Sequence, residues 1–201
     1  MTPPGQDEYS ALRATIRERG TARVCLFVAG IAAWAALTVA TAALAFTPVA
    51  SLLPLLMLAS VFEAIFALHI GVERIGRYLQ VFYELDPPAP PASPGLPAPV
   101  GWEHAAMAFG RPAGAARVDA LFTVPFLIAT LFNLAPALLL EPARVELIFV
   151  GGAHLLFVLR LLVGKRAADS QRPIDLGRFA ELSTQHAELR TSDAATAPRR
   201  P

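Results

Sequence analysis

Residues 51–80, SLLPLLMLASVFEAIFALHIGVERIGRYLQ, begin as a helix soluble in lipid and end as a helix soluble in water. Inside the apolar part stand one carboxylate, Glu63, and one imidazole, His69; past Gly71 the helical pattern continues through Ile75, Leu79 and Phe82 with Glu73, Arg74 and Arg77 around it. Such a helix needs a bilayer for its first half and an aqueous surface for its second. Gly71 and Gly76 are the expected bend points between the two. The remaining segments must then be sorted between the same two solvents.

Composition agrees with this demand. Of 201 residues, 55% are apolar and 16% charged, outside the range of an ordinary soluble domain of this size. A net charge of +1 makes no whole-molecule case for nucleic acid, and none is expected as a partner. Cys25 is the single cysteine, which excludes an internal disulfide and a paired-thiolate zinc site, and it reads as helix packing rather than as a lipidation site. Abundant Ala, Arg and Pro beside a lone lysine, Lys165, is the coding bias of a GC-rich bacterium, so the bilayer expected is an inner membrane.

Along the chain, residues 1–23 place Tyr9, Leu12 and Ile16 at helical spacing beside Arg13, Arg17 and Arg19, either as an amphipathic surface helix or as a solvated lead-in. Residues 24–46 carry no charge and exceed the ~20 residues needed to cross a hydrocarbon core. They also exceed the roughly 7 to 15 residues of a secretory signal core, so a span is favoured over a signal cleaved near Ala43-Leu44-Ala45. Ala29, Ala33, Ala36, Ala40 and Ala43 form a small-residue stripe, the expected contact of this helix with its neighbours. Thr47-Pro48 then permits only a tight hairpin into a second span, with Pro54 tolerated in its first turns. Residues 24–71 are thus the first transmembrane hairpin.

Residues 72–117 read as a polar helix anchored by Tyr78 and Tyr83, a spacer (DPPAPPASPGLPAP) and a short helix bearing Trp102, Ala106 and Phe109, expected to dock on the membrane or on the Ile75/Leu79/Phe82 face. The second hairpin, 118–163, has Asp119 at its start, Asn133 inside, Pro125 and Pro136 as kinks, a turn at Glu141-Pro142-Ala143 and His154 near the middle of its last span. In 164–201, Ile174, Phe179, Leu182 and Leu189 predict a separate amphipathic helix, followed by a disordered tail from Thr191. The fold class expected is an all-α membrane protein, a four-helix transmembrane bundle of two antiparallel hairpins with cytoplasmic amphipathic helices. Of the 17 Lys and Arg residues, only Arg144 falls on a hairpin tip, which places both termini and the middle loop in the cytoplasm.

Glu63 has the strongest claim to chemistry, because an ionised group inside a bilayer costs several kcal/mol unless paired, wetted or protonated. Counting back from the cytoplasmic ends of the apolar runs, Glu63 lies ~12 Å deep and His154 ~13 to 14 Å deep, which predicts a Glu63–His154 pair with Asn133 nearby. His69, Asp119 and Arg160 fall within about one turn of the same end and form an expected interfacial ring. Arg160 is read as a headgroup anchor. Two ligands, His69 and Glu73, do not make a metal site, and a bis-histidine haem between His69 and His154 fails on depth, so no metal and no cofactor is expected. No hydrolase elbow, phosphate loop or zinc-helix motif occurs in the chain. Three functions follow in order of preference. The first is a non-enzymatic membrane scaffold or accessory subunit that engages a protein partner through its cytoplasmic segments. The second is a proton- or cation-coupled transporter using Glu63 and His154, with homo-oligomerisation. The third is a membrane enzyme acting on a lipid.

Overall fold

In the computed structural model, which describes residues 6–44, 47–83, 118–140 and 143–196, all regular structure is helical. Helix α1 covers Gln6–Leu44, a 3-10 turn covers Pro48–Ser51, and α2, α3 and α4 cover Leu52–Phe82, Val118–Leu139 and Arg144–Thr196. Three helical stretches are long and apolar enough to cross a membrane, Asp7–Leu44, Pro48–Phe82 and Arg144–Gln185, and Thr123–Leu139 is a shorter apolar one.

The helices run further than the sequence pattern indicates. The lead-in and the first apolar run are a single helix, α1. Helix α2 passes Gly71 and Gly76 without a break. Helix α4 continues through Gly164 and Pro173, so residues 191–196 are helical where a disordered tail was expected, and the predicted separate tail helix is the continuation of the last apolar run. The reason is local. A single glycine costs a helix only about 1 kcal/mol, and the polar stretches of α1, α2 and α4 are rich in the strong helix formers Ala, Leu, Arg and Glu. Helix α4 starts with half a capping box: the Ala143 N–H donates to the Glu146 carboxylate three residues on, at 3.2 Å. The proline-rich spacer and the segment with Trp102, Ala106 and Phe109 lie outside the described residues.

The contacts divide the chain into an apolar unit, Arg17–Val72 with Gly114–Asp169, and a polar unit, Met1–Ile16 with Glu73–Ala113 and Ser170–Pro201. In the apolar unit, Leu55, Leu58, Val61, Phe62 and Ile65 of α2 pack with Phe126 and Ala129 of α3 and Phe157 and Leu161 of α4. Phe62 is the hub, meeting Phe126 and Phe157 edge-on at centroid distances of 5.5 and 6.1 Å. The 3-10 turn packs against α3. Helix α1 joins through Leu26, Phe27, Ile31 and Trp34. Gly30 lets it approach, since a Cβ there would collide with Val61. The alanine stripe does not make this contact: Ala29, Ala33, Ala36, Ala40 and Ala43 are all exposed. Leu, Phe, Ile and Trp offer more dispersion contact than alanine, and the single Gly30 suffices to bring the backbones close.

The polar unit is held differently. Leu79 and Val81 are buried, and four rings pack in sequence: Tyr9 on Tyr83 at 5.5 Å, Tyr83 on Tyr78 at 6.1 Å, and Tyr78 on Phe179 at 5.7 Å. The tyrosines read from sequence as headgroup anchors spend their rings on this cluster. Tyr78 Oη donates to the Glu8 carboxylate at 3.1 Å. Arg77 and Asp175, 2% and 8% exposed, form an ion pair at 2.6 Å.

Candidate functional site

The apolar unit carries its polar groups in two separate constellations. In the first, Glu63 of α2 holds Arg160 of α4 through both carboxylate oxygens, each 2.7 Å from a guanidinium nitrogen. Arg160 lies over the Phe62 and Phe66 rings, 5.7 and 5.1 Å from their centroids. Gly164 makes room for this arrangement, since a side chain there would press on the Arg160 guanidinium and the Phe62 ring. The pair sits on the outside, with Glu63 half exposed. A bidentate pairing of this kind is the strongest an arginine makes with a carboxylate.

The second constellation joins the turn before α2 to α3 and α4. Asn133, 1% exposed, donates from Nδ2 to the Ser51 carbonyl at 2.7 Å and faces His154 Nε2 at 3.1 Å. His154 Nδ1 lies 2.8 Å from the Val150 carbonyl. A carbonyl only accepts, so Nδ1 carries the proton and Nε2 is left to accept from Asn133, which makes the imidazole neutral. Asn133 Oδ1 has no hydrogen-bond partner. The residue lines a small cavity of about 20 Å³ with Thr38, Thr41 and Thr47, enough for a single water by the usual minimum of about 10 to 15 Å³.

The predicted Glu63–His154 pair is therefore replaced by two others, Glu63–Arg160 and His154–Asn133. Ser51 and Glu63 are twelve residues apart on continuous helical backbone, about 18 Å of rise, so a histidine held at the Ser51 end cannot reach Glu63. Depth counting failed because the apolar runs do not stop level: Gly164, just past the run of α4, packs on Phe62, nine residues before Gly71. The interfacial ring is also redistributed. His69 Nδ1 is 3.0 Å from the Arg23 guanidinium, Arg160 belongs to Glu63 rather than to headgroups, and the Asp119 side chain lies outside the described residues. Glu73 bonds to Arg77 at 3.4 Å, and no cluster of three metal-ligating side chains occurs among the described residues.

Arg23, His69, Lys165 and Asp169 line a cleft of about 50 Å³ in the same unit, with the more deeply buried Phe62 and Ile65 and the half-buried Phe66 as its floor. Lys165 and Asp169 are paired at 3.0 Å. Sequence reasoning missed this cleft, although two signals pointed to it: Arg23 and Lys165 are the first cations outside the apolar runs of α1 and α4.

In the polar unit, the buried Asp175 also accepts from Gln171 at 3.1 Å and has Arg74 at 3.9 Å. Burial pushes its carboxyl up, but bonds from Gln171 and Arg77 and the two arginine charges outweigh this and leave it below the ordinary carboxylate value. Tyr83 is pushed up to about 12 by its hydrogen bond to Glu8, then by burial and by the Glu8 charge. The i, i+4 pairs Glu73/Arg77 and Gln171/Asp175 are legible in sequence as solvated helix faces, and only packing turns Arg77 and Asp175 toward each other.

Comparison with known proteins leaves these geometries to speak for themselves: no family model, no curated protein and no solved structure matches the chain.

Proposed function

We propose that the chain is a small multi-pass protein of a bacterial inner membrane, with two transmembrane hairpins at residues 24–71 and 118–163 and cytoplasmic termini. We propose further that it serves as a non-enzymatic scaffold or accessory subunit whose polar unit holds a protein partner. The membrane part is supported by an inverted surface. Among the described residues, all exposed large hydrophobics except Ile174 and Leu182 fall between Val24 and Val163. Water would not tolerate that much apolar surface on a monomer, whereas lipid requires it.

The observation that carries the scaffold reading is the state of Glu63. A transport site needs an intramembrane carboxylate that exchanges protons or cations with a wet path, and Glu63 has both oxygens committed to Arg160 on the outer face of the bundle. His154 is likewise committed to Asn133 and its own helix backbone. Both sets work as bonds that align helices. For the partner surface, Ile174 and Leu182 are 60% and 46% exposed on α4, two turns apart, and share a shallow groove with Arg178 and Glu181.

The test combines two measurements. Purification from native membranes in mild detergent is expected to yield a stoichiometric companion, lost when Ile174 and Leu182 are both replaced by Asp. Liposomes containing the chain are expected to pass no proton or cation current above empty ones. A current abolished by Glu63→Gln would refute the scaffold reading in favour of transport.

A further inference from the structure

We infer that the cleft at Arg23 and Lys165 is a binding site for an anionic phospholipid, with the phosphate between the two cations and one acyl chain lying along Phe62, Ile65 and Phe66. The inference rests on the membrane reading above and adds a ligand to it. Three observations converge on that ligand.

The first is the division of the cleft into an apolar floor and a charged mouth. Phe62 and Ile65 are buried and Phe66 half-buried, and no charged side chain contributes to the floor. Among the described residues, two cations, Arg23 and Lys165, line the mouth against one carboxylate, Asp169. A soluble anion would use the rim and ignore the floor. A neutral hydrocarbon would use the floor and ignore the rim. An amphiphile with a negative head uses both.

The second is level. Arg23 precedes the charge-free run of α1 and Lys165 follows the apolar run of α4, so both lie where hydrocarbon gives way to water. Headgroup phosphates occupy that level, and the cytoplasmic leaflet is where anionic lipids attract basic side chains.

The third is that neighbouring groups hold the site in shape. His69 Nδ1 fixes the Arg23 guanidinium at 3.0 Å. The Phe62 and Phe66 rings stack at 5.8 Å with 20° between their planes, and Arg160 caps both. Glu63, read from sequence as half of a transport site with His154, instead anchors Arg160 and so braces the floor, which makes Glu63 and Arg160 positioning residues.

The experiment is native mass spectrometry of the full chain in mild detergent with equal amounts of phosphatidylglycerol and phosphatidylcholine carrying the same acyl chains. Preferential retention of phosphatidylglycerol is expected. Arg23→Gln and Lys165→Gln should each reduce that preference about fivefold, the worth of one cation near a lipid surface. Arg144→Gln, at the first residue of α4 and 21 residues before Lys165, should leave it unchanged. Asp169→Asn should raise it, a gain that misfolding cannot produce. Equal retention of the two lipids by the parent overturns the inference, as does a fall in preference with Asp169→Asn. Displacement of the lipid by millimolar inorganic phosphate would also overturn it, because the site would then read a free anion. Carbonate extraction of membranes separates the two failures: a chain that washes off refutes the membrane reading, whereas a chain that stays and shows no lipid preference refutes this inference alone.

Discussion

The apolar and polar units are built from the same helices and invert each other's logic. In the apolar unit many Val, Leu, Ile and Phe side chains are exposed, and hydrogen-bonding groups such as Asn133, His154, Thr130 and Ser51 are inside. In the polar unit large hydrophobics face inward with few exceptions, and the buried polar element is a full ion pair, Arg77–Asp175. Each arrangement suits one solvent. Lipid provides no hydrophobic force between helices, so packing and hydrogen bonds join them; water provides that force, and burying charge then has a real desolvation cost that Gln171, Glu73 and Arg74 offset. One continuous helix can thus change its rules of assembly within a turn, as α2 does near Gly71.

The largest effect is expected from stripping the polar unit of its buried anion. Asp175→Ala leaves the buried Arg77 with only the longer contact to Glu73, at 3.4 Å, and should destabilise that unit by about 3 kcal/mol, read as loss of hydrogen-exchange protection across residues 73–82 and 170–185. Protection in residues 52–66 should stay as it is. Equal loss in both would mean that they are not separate units.

A smaller effect is expected from overpacking the apolar unit. Gly30→Val drives a side chain into Val61 and should cost about 1 to 3 kcal/mol in detergent unfolding, recovered largely by Val61→Ala. By contrast Ala36→Val, on the exposed stripe, should change little. An effect of Ala36→Val as large as that of Gly30→Val would return the stripe to the helix interface.

Next comes the coupling between polar groups. A double-mutant cycle for Glu63→Gln and Arg160→Gln should give an interaction of about 0.5 to 1 kcal/mol, in the range measured for polar pairs within membranes, while Glu63→Gln and His154→Asn should be additive. Coupling of Glu63 to His154 would overturn the two-constellation geometry.

The smallest effect is pH dependence confined to the polar unit. Asp175 has its folded pKa below the ordinary 3.8, so its stabilisation is present above about pH 4 and is lost as pH falls through the folded value. Tyr83 runs the other way: its stabilisation is complete below about pH 10 and is lost as pH rises toward about 12. Proteolytic susceptibility of residues 73–83 and 170–185 should rise at both extremes, with the cleavage pattern of residues 52–66 unchanged.

Much of the fold was open to reading from residue pattern, because helix in this chain is dictated by runs of apolar residues and strong formers whose period is local. The ends of α3 and the start of α4 were legible from Val118, the Glu141-Pro142-Ala143 turn and the absence of charge from Ala120 to Leu140. The positions of Gly164 and Pro173 were not legible as interior ones, since propensity marks both as breaks, at about 1 kcal/mol for the glycine and about 3 kcal/mol for the proline. The candidate site divided in the same way. That Glu63 must have a partner follows from the sequence alone, because desolvating a carboxylate is costly wherever the helix lies.

Which partner it has is a matter of register. Sequence counting measures each residue from the end of its own apolar run, and nothing in one run says where its neighbour's run stops. Packing of Gly164 on Phe62 and of Gly30 on Val61 sets that stagger, and it hands Glu63 to Arg160 and His154 to Asn133. The sequence by itself thus determined the helices, their two kinds of surface and the need to neutralise Glu63, all of which depend on solvent and local spacing. Only the tertiary structure decided the pairings, the cleft under Arg23 and Lys165 and the buried Arg77–Asp175 bond, because each depends on how far one helix slides along another.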